Sequence, residues 1–134
     1  MTPDVTLRFE RRLQHPIQRV WAAITEPDEI EAWWGRATVD LRPGGAMRIE
    51  WLNSDVTMPA TITELDPPHV LEIEGEPHGR LRFELEPDGD GTRLHFEHSG
   101  FDVSLPYGEQ AFKGAGYGWA TMHEKLVAIV AAKA

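Results

Sequence analysis

Arg80 to Ser99 reads RLRFELEPDGDGTRLHFEHS. Leu81, Phe83 and Leu85 alternate with Arg80, Arg82, Glu84 and Glu86. Successive side chains of an extended chain point to opposite faces, so this segment has one apolar and one charged face. Asp88-Gly89-Asp90-Gly91 then supplies the residues that a tight hairpin turn needs. Thr92 to Ser99 resumes the alternation, with Leu94, Phe96 and His98 opposite Arg93, His95 and Glu97. Two such strands joined by such a turn predict an antiparallel hairpin, dry on one face and wet on the other.

Upstream, the same period recurs between turn signals. Ala37 to Leu41 predicts a short strand, and Arg42-Pro43-Gly44-Gly45 a turn. Met47, Ile49 and Trp51 alternate with Arg48 and Glu50, and Asn53-Ser54-Asp55 turns again. Val56 to Leu65 places Met58, Ala60 and Ile62 on one face, with Pro59 arguing for an edge position or a bulge. Asp66-Pro67-Pro68 precedes a short strand over Val70 to Glu74. Further back, Val5 to Leu13 alternates with one polar intruder, Arg11. Ile17, Val20, Trp21 and Ile24 follow at helical spacing, with Pro16 suited to the first turn. A second short helix has Thr25 as N-cap, acidic Asp28 and Glu29 in its first turn, and Gly35 at its end. Two adjacent residues on so short a helix are not both expected to point inward, so one of Trp33 and Trp34 is expected at the mouth of any pocket.

Downstream the period changes. Residues 100–110 read as a loop, and Trp119, Met122, His123, Leu126, Ile129 and Val130 recur at helical spacing. Trp119, Met122, Leu126, Ile129 and Val130 are expected as the buried stripe of this last helix. The order predicts an α+β fold: a strand, two short helices, six strands in hairpin succession and one long helix. The dry face of the sheet needs a cover, and only the last helix is long enough. A twisted sheet folded around one helix leaves a gap in which a ligand can sit.

The bulk composition narrows the function. With 134 residues the chain fits a single domain, 1–134. It has no cysteine, which excludes disulfides and thiolate metal sites and suits a reducing, cytoplasmic setting. Its N-terminus has no apolar signal-peptide core, and no apolar run is long enough to span a membrane. A net charge of −9 with no basic patch speaks against nucleic acid as a partner.

Several local motifs, in this order, resemble those of a known superfamily. They are Pro16–Trp21 (PIQRVW), Ala23–Pro27 (AITEP), Trp33-Trp34-Gly35, Asp40–Gly45 (DLRPGG), Leu65–Pro68 (LDPP), His98–Phe101 (HSGF) and Gly118-Trp119. Their order and spacing resemble the START-like (SRPBCC, birch-pollen-allergen-like) superfamily. Within it the sequence is similar to the bacterial family related to the C-terminal domain of the heat-shock-protein-90 ATPase activator. The resemblance implies the helix-grip fold, a curved antiparallel sheet of about seven strands wrapped around a long C-terminal helix, with a cavity between. Relatives in that superfamily include hydrophobic-ligand carriers, cyclases and aromatases, so the resemblance carries over no catalytic motif. The chaperone activator has an additional N-terminal domain that this sequence lacks, which makes chaperone activation the lesser expectation.

Face parity selects candidate pocket residues. Trp51, Met58, Phe83, Phe96 and His98 occupy the apolar side of their strands. Trp33, Trp119, Met122 and His123 join them from the helices. His98 is the candidate acid–base residue, because a neutral imidazole both donates and accepts hydrogen bonds and titrates near neutrality. The plainer reading of His98 and His123 is a structural histidine, and of Trp21 and Trp119 core packing. Arg11, Glu50 and Glu64 reach inward only if a bulge shifts register. His95 and His98 fall on opposite faces and His69 and His78 in turns, so no metal site is expected, and no cofactor motif is present. Gly114 to Gly118 lacks the strand and the Lys-Ser/Thr ending of a phosphate loop.

Three functions follow. The first is binding of a small hydrophobic molecule, aromatic and polycyclic ones included, by a monomer or homodimer. The second is a cyclase, dehydratase or hydrolase using the same cavity, and the third a protein-interaction domain.

Overall fold

The computed structural model describes residues 4–51, 57–75, 79–102, 119–120 and 122–131. Strand β1 (Asp4–Leu13) is followed by helices α1 (Ile17–Thr25) and α2 (Pro27–Trp33). Six strands come next: β2 (Gly35–Val39), β3 (Ala46–Trp51), β4 (Thr57–Asp66), β5 (Val70–Gly75), β6 (Gly79–Asp88) and β7 (Gly91–Asp102). Residues 119–120 and 122–131 are helical and are called α3 below. All seven strands form one antiparallel sheet in the order β1-β7-β6-β5-β4-β3-β2. This is the α+β helix-grip arrangement. Successive hairpins build six strands, and the long-range pairing of β1 with β7 completes the sheet.

Several sequence expectations are corrected. The second strand starts at Gly35, two residues early, because Gly35 pairs directly with Trp51 once Trp34 has capped the helix. The helix α2 is capped by Glu26, with Pro27 at its first position; the Thr25 hydroxyl instead donates to Trp21 O at 2.7 Å. The last strand runs on to Asp102, where a loop was expected from residue 100, because β1 offers it partners as far as Asp4. Pro59 lies in an interior strand, yet β5 pairs with β4 only from Thr61 onward among the described residues. Pro59 thus sits outside the β4–β5 ladder of the described residues, where a residue without an N–H is tolerated. A bulge does occur in β4, between Ile62 and Glu64. The expected turn at 53–55, most of the loop at 100–110 and the glycines of 114–118 lie outside the described residues.

The two faces divide as alternation requires. Met47, Ile49, Ile62, Leu71, Ile73, Leu81, Phe83, Leu85, Leu94 and Phe96 are buried on the inner face. Arg82 on the outer face meets Glu72 on the adjacent β5, Glu64 on β4 beyond it and Glu84 on its own strand. The helices close over the inner face. The buried stripe of α3 is Trp119, His123, Leu126 and Val130, whereas Met122 and Ile129 are only half-buried. The expected stripe is thus rotated: a histidine takes the central position that a purely apolar reading gives to Met122. Trp21, expected in the core, is also only half-buried.

Polar ties hold α3 to the N-terminal elements. Arg19 on α1 donates from Nη2 to Ile129 O at 2.8 Å, tying the first helix to a carbonyl of the last. The same guanidinium forms a buried ion pair with Glu29 on α2 at 2.8 Å. Arg11, the charge on the inward side of β1, donates to Glu124 at 2.6 Å.

Candidate functional site

Strand register builds the floor of the site. Phe9, Phe96 and Phe83 lie side by side across β1, β7 and β6, and Leu7, His98 and Leu81 form the next row. Phe96 is central, with ring centroids 5.0 Å from Phe83 and 6.1 Å from Phe9. Helix α3 supplies the roof. Trp119 and His123 are four residues apart and so share one helix face. Both rings rest on Phe96, at 4.6 and 4.8 Å. Trp34 closes one side, 5.3 Å from Trp119 and 6.2 Å from Phe83.

Trp33 and Trp34 are both fully buried, which corrects the expectation that one of them points outward. Trp34 is the C-cap of α2, with φ −116° and ψ −58°, and its N–H still donates to Ile30 O at 2.8 Å. Its ring sits 5.4 Å from that of Trp33, whose own N–H donates to Ala23 O at 2.8 Å.

Two histidines are buried inside this apolar shell, and they differ chemically. His98 accepts a hydrogen bond at Nδ1 from Trp119 Nε1 at 2.9 Å. An indole N–H can only donate, so Nδ1 holds the lone pair and the ring proton sits on Nε2. His123 is 0% exposed, and neither ring nitrogen has a hydrogen-bond partner. It is caged by Phe96, by Phe9 at 5.1 Å and by Trp119 at 5.9 Å. Burial, followed by the charge of Arg11, pushes its pKa down to about 4. It is therefore neutral at pH 7, and one of its nitrogens carries an N–H that no described group accepts.

The sequence profile of the family described as Activator of Hsp90 ATPase homolog 1-like protein matches residues 14–131. The chain belongs to this family. No curated protein is similar enough to count as a match. Among solved structures, protein MLL2253 from Mesorhizobium loti is 26% identical, with a TM-score of 0.85 over 97% of this chain and 99% of that one. CalU16 from Micromonospora echinospora is 27% identical, with a TM-score of 0.76 over 93% of this chain and 75% of its own. The Aha1 dimer from Colwellia psychrerythraea, at 15% identity and a TM-score of 0.75 over 91% of this chain and 92% of that one, shares the fold.

For this Aha1-like chain, most candidate residues converge. Trp33, Phe83, Phe96, His98, Trp119 and His123 are all buried in the aromatic cluster or against it. Met122 lies half-buried on the same helix. Trp51 and Met58 belong to β3 and β4, but their side chains lie outside the described part. Sequence reasoning passed over Phe9, whose place on the inward side of β1 was visible from alternation. It named Trp34 only as an alternative to Trp33 at the mouth, not as a buried wall, and it missed Arg11 as the charge that bears on His123. Those two follow from the capping geometry of α2 and the β1–β7 pairing, which have no local signature.

Two clefts formed by described residues lie elsewhere. One, of about 520 Å³, runs along Pro59, Ala60, Thr61, Thr63, Glu74 and Gly75. Another, of about 370 Å³, lies among His69, Val70, Glu84, Leu85, Glu86, His95 and Glu97. Both are open, and neither includes a residue of the aromatic cluster. No group of three His, Asp or Glu side chains among the described residues is arranged to hold a metal ion. No described helix is long and apolar enough to cross a membrane.

Proposed function

We propose that this protein binds a small, mainly apolar molecule between the inner face of the sheet and helix α3. The observation that carries this reading is His123, a fully buried imidazole with two unpartnered nitrogens inside an aromatic cage. Leaving a buried polar group unsatisfied costs about 1–3 kcal/mol. A ligand that supplies the missing hydrogen bond gives that cost a function. We place this activity in the cytoplasm and in one domain spanning the chain.

Binding is favoured over acid–base catalysis: His98, the candidate acid–base residue, has its Nδ1 lone pair engaged by the Trp119 N–H, and His123 is tuned away from the task. An efficient general acid or base has a pKa near the working pH. His123, at about 4, lies well below that range. Binding is also favoured over a protein-interaction role. Among the described residues, Leu41 is the one large apolar side chain left exposed, and the outer face of the sheet is laced with ion pairs. A protein partner there would have to displace water from those charges without an apolar centre to offset the loss.

The test is titration of the native protein with N-phenyl-1-naphthylamine, an uncharged fluorophore that brightens in apolar surroundings. One-site binding to the native protein is expected, weakened by His123→Leu or Phe96→Trp. Brightening only in partly denatured protein would refute the reading.

A further inference from the structure

Resting on the reading above, we infer that the ligand is uncharged and carries a hydroxyl oxygen at one end, and that His123 is the residue that selects it. His123 is enclosed by aromatic rings. Among the described residues its cage is Phe9, Phe96 and Trp119, three rings that offer apolar faces and no acceptor. The Trp119 N–H is committed to His98, so it cannot serve a ligand and His123 together. Of the two buried imidazoles, His98 is therefore tied into the wall, and His123 is the one with free valence.

Charge comes next. Arg11 bears electrostatically on His123, but its guanidinium is paired with Glu124 at 2.6 Å, on the residue following His123. That pair compensates itself, and the neutral imidazole adds no charge. An ionised ligand group would thus lose its hydration with no counter-charge among the described residues left to meet it. A hydroxyl loses less and gains more. It donates to the unprotonated ring nitrogen of His123 or accepts from the protonated one.

Three ligands matched in shape make the test: naphthalene, 2-naphthol and 2-naphthoate, with affinities measured at pH 7 on the full chain. Wild-type protein should bind 2-naphthol about tenfold more tightly than naphthalene, the effect of one buried hydrogen bond. It should bind 2-naphthoate more weakly than 2-naphthol. His123→Leu should bring naphthol and naphthalene to equal affinity while naphthalene binding persists. His123→Phe keeps a ring in the cage and should do the same, so a folding defect in one variant does not decide the outcome. Equal binding of naphthol and naphthalene by wild type would overturn the inference and leave the cavity reading intact. So would a preference that survives both substitutions, or naphthoate binding tightest. If none of the three binds, the cavity reading itself fails.

Discussion

Replacing His123 with Leu removes a buried imidazole whose nitrogens have no partner and fills similar space with carbon. Removing an unsatisfied buried polar group recovers about 1–3 kcal/mol, less any strain from the altered shape. A gain of about 1 kcal/mol at pH 7 corresponds to a rise of roughly 4 °C in Tm for a domain of this size. The pH dependence is more diagnostic. The folded-state pKa of about 4 lies below the ordinary value of 6.5. The unfolded chain therefore takes up a proton at His123 first as pH falls. The stability tied to the neutral imidazole is complete above pH 6.5 and is lost progressively as pH falls through 4. By linkage, wild type should lose about 2 kcal/mol between pH 7 and pH 5 through this one group. His123→Leu has no such group, so its advantage should widen by that amount. Urea denaturation of both proteins at the two pH values measures it. Parallel losses of stability would refute the assignment of His123 as a buried, neutral and unpartnered residue.

Other outcomes follow from the same contacts. Arg19→Met strands Glu29 in the interior and breaks the tie to Ile129 O, so stability should fall by about 3–5 kcal/mol, and Glu29→Leu in that background should restore part of it in denaturant melts. Nitrogen NMR of the imidazoles should find His98 protonated on Nε2 alone, and Trp119→Phe should release that tautomer preference; a mixed tautomer in wild type would contradict the Trp119–His98 bond. Phe96→Ala opens the centre of the cluster and should cost about 3–5 kcal/mol, read from the same melts.

Most of the sheet was legible because each strand carries its own two-residue period, and residues 80–99 even specify their hairpin register through Asp88 to Gly91. What stayed hidden depends on contacts distant in sequence. The extension of β7 to Asp102 requires β1 as a partner, and nothing near residue 100 announces it. Counting apolar residues on the last helix favoured Met122 over His123, because hydropathy ranks a histidine as polar. The packing decides otherwise, since Phe9 and Phe96 form a floor that a flat ring covers well. Parity marked His98 and Phe96 as inward-facing, but the division of labour between the two histidines required the position of the Trp119 N–H. Arg11 looked like a flaw in an apolar face until Glu124 was seen to meet it from α3.

The central claim is that a small molecule belongs between the sheet and helix α3. Native mass spectrometry of freshly purified protein tests this most directly. The account predicts a species heavier than the bare chain by the mass of one small molecule, released on denaturation and reduced by His123→Leu. Bare chain alone under gentle desolvation, with no uptake of 2-naphthol or naphthalene added in excess, would contradict it.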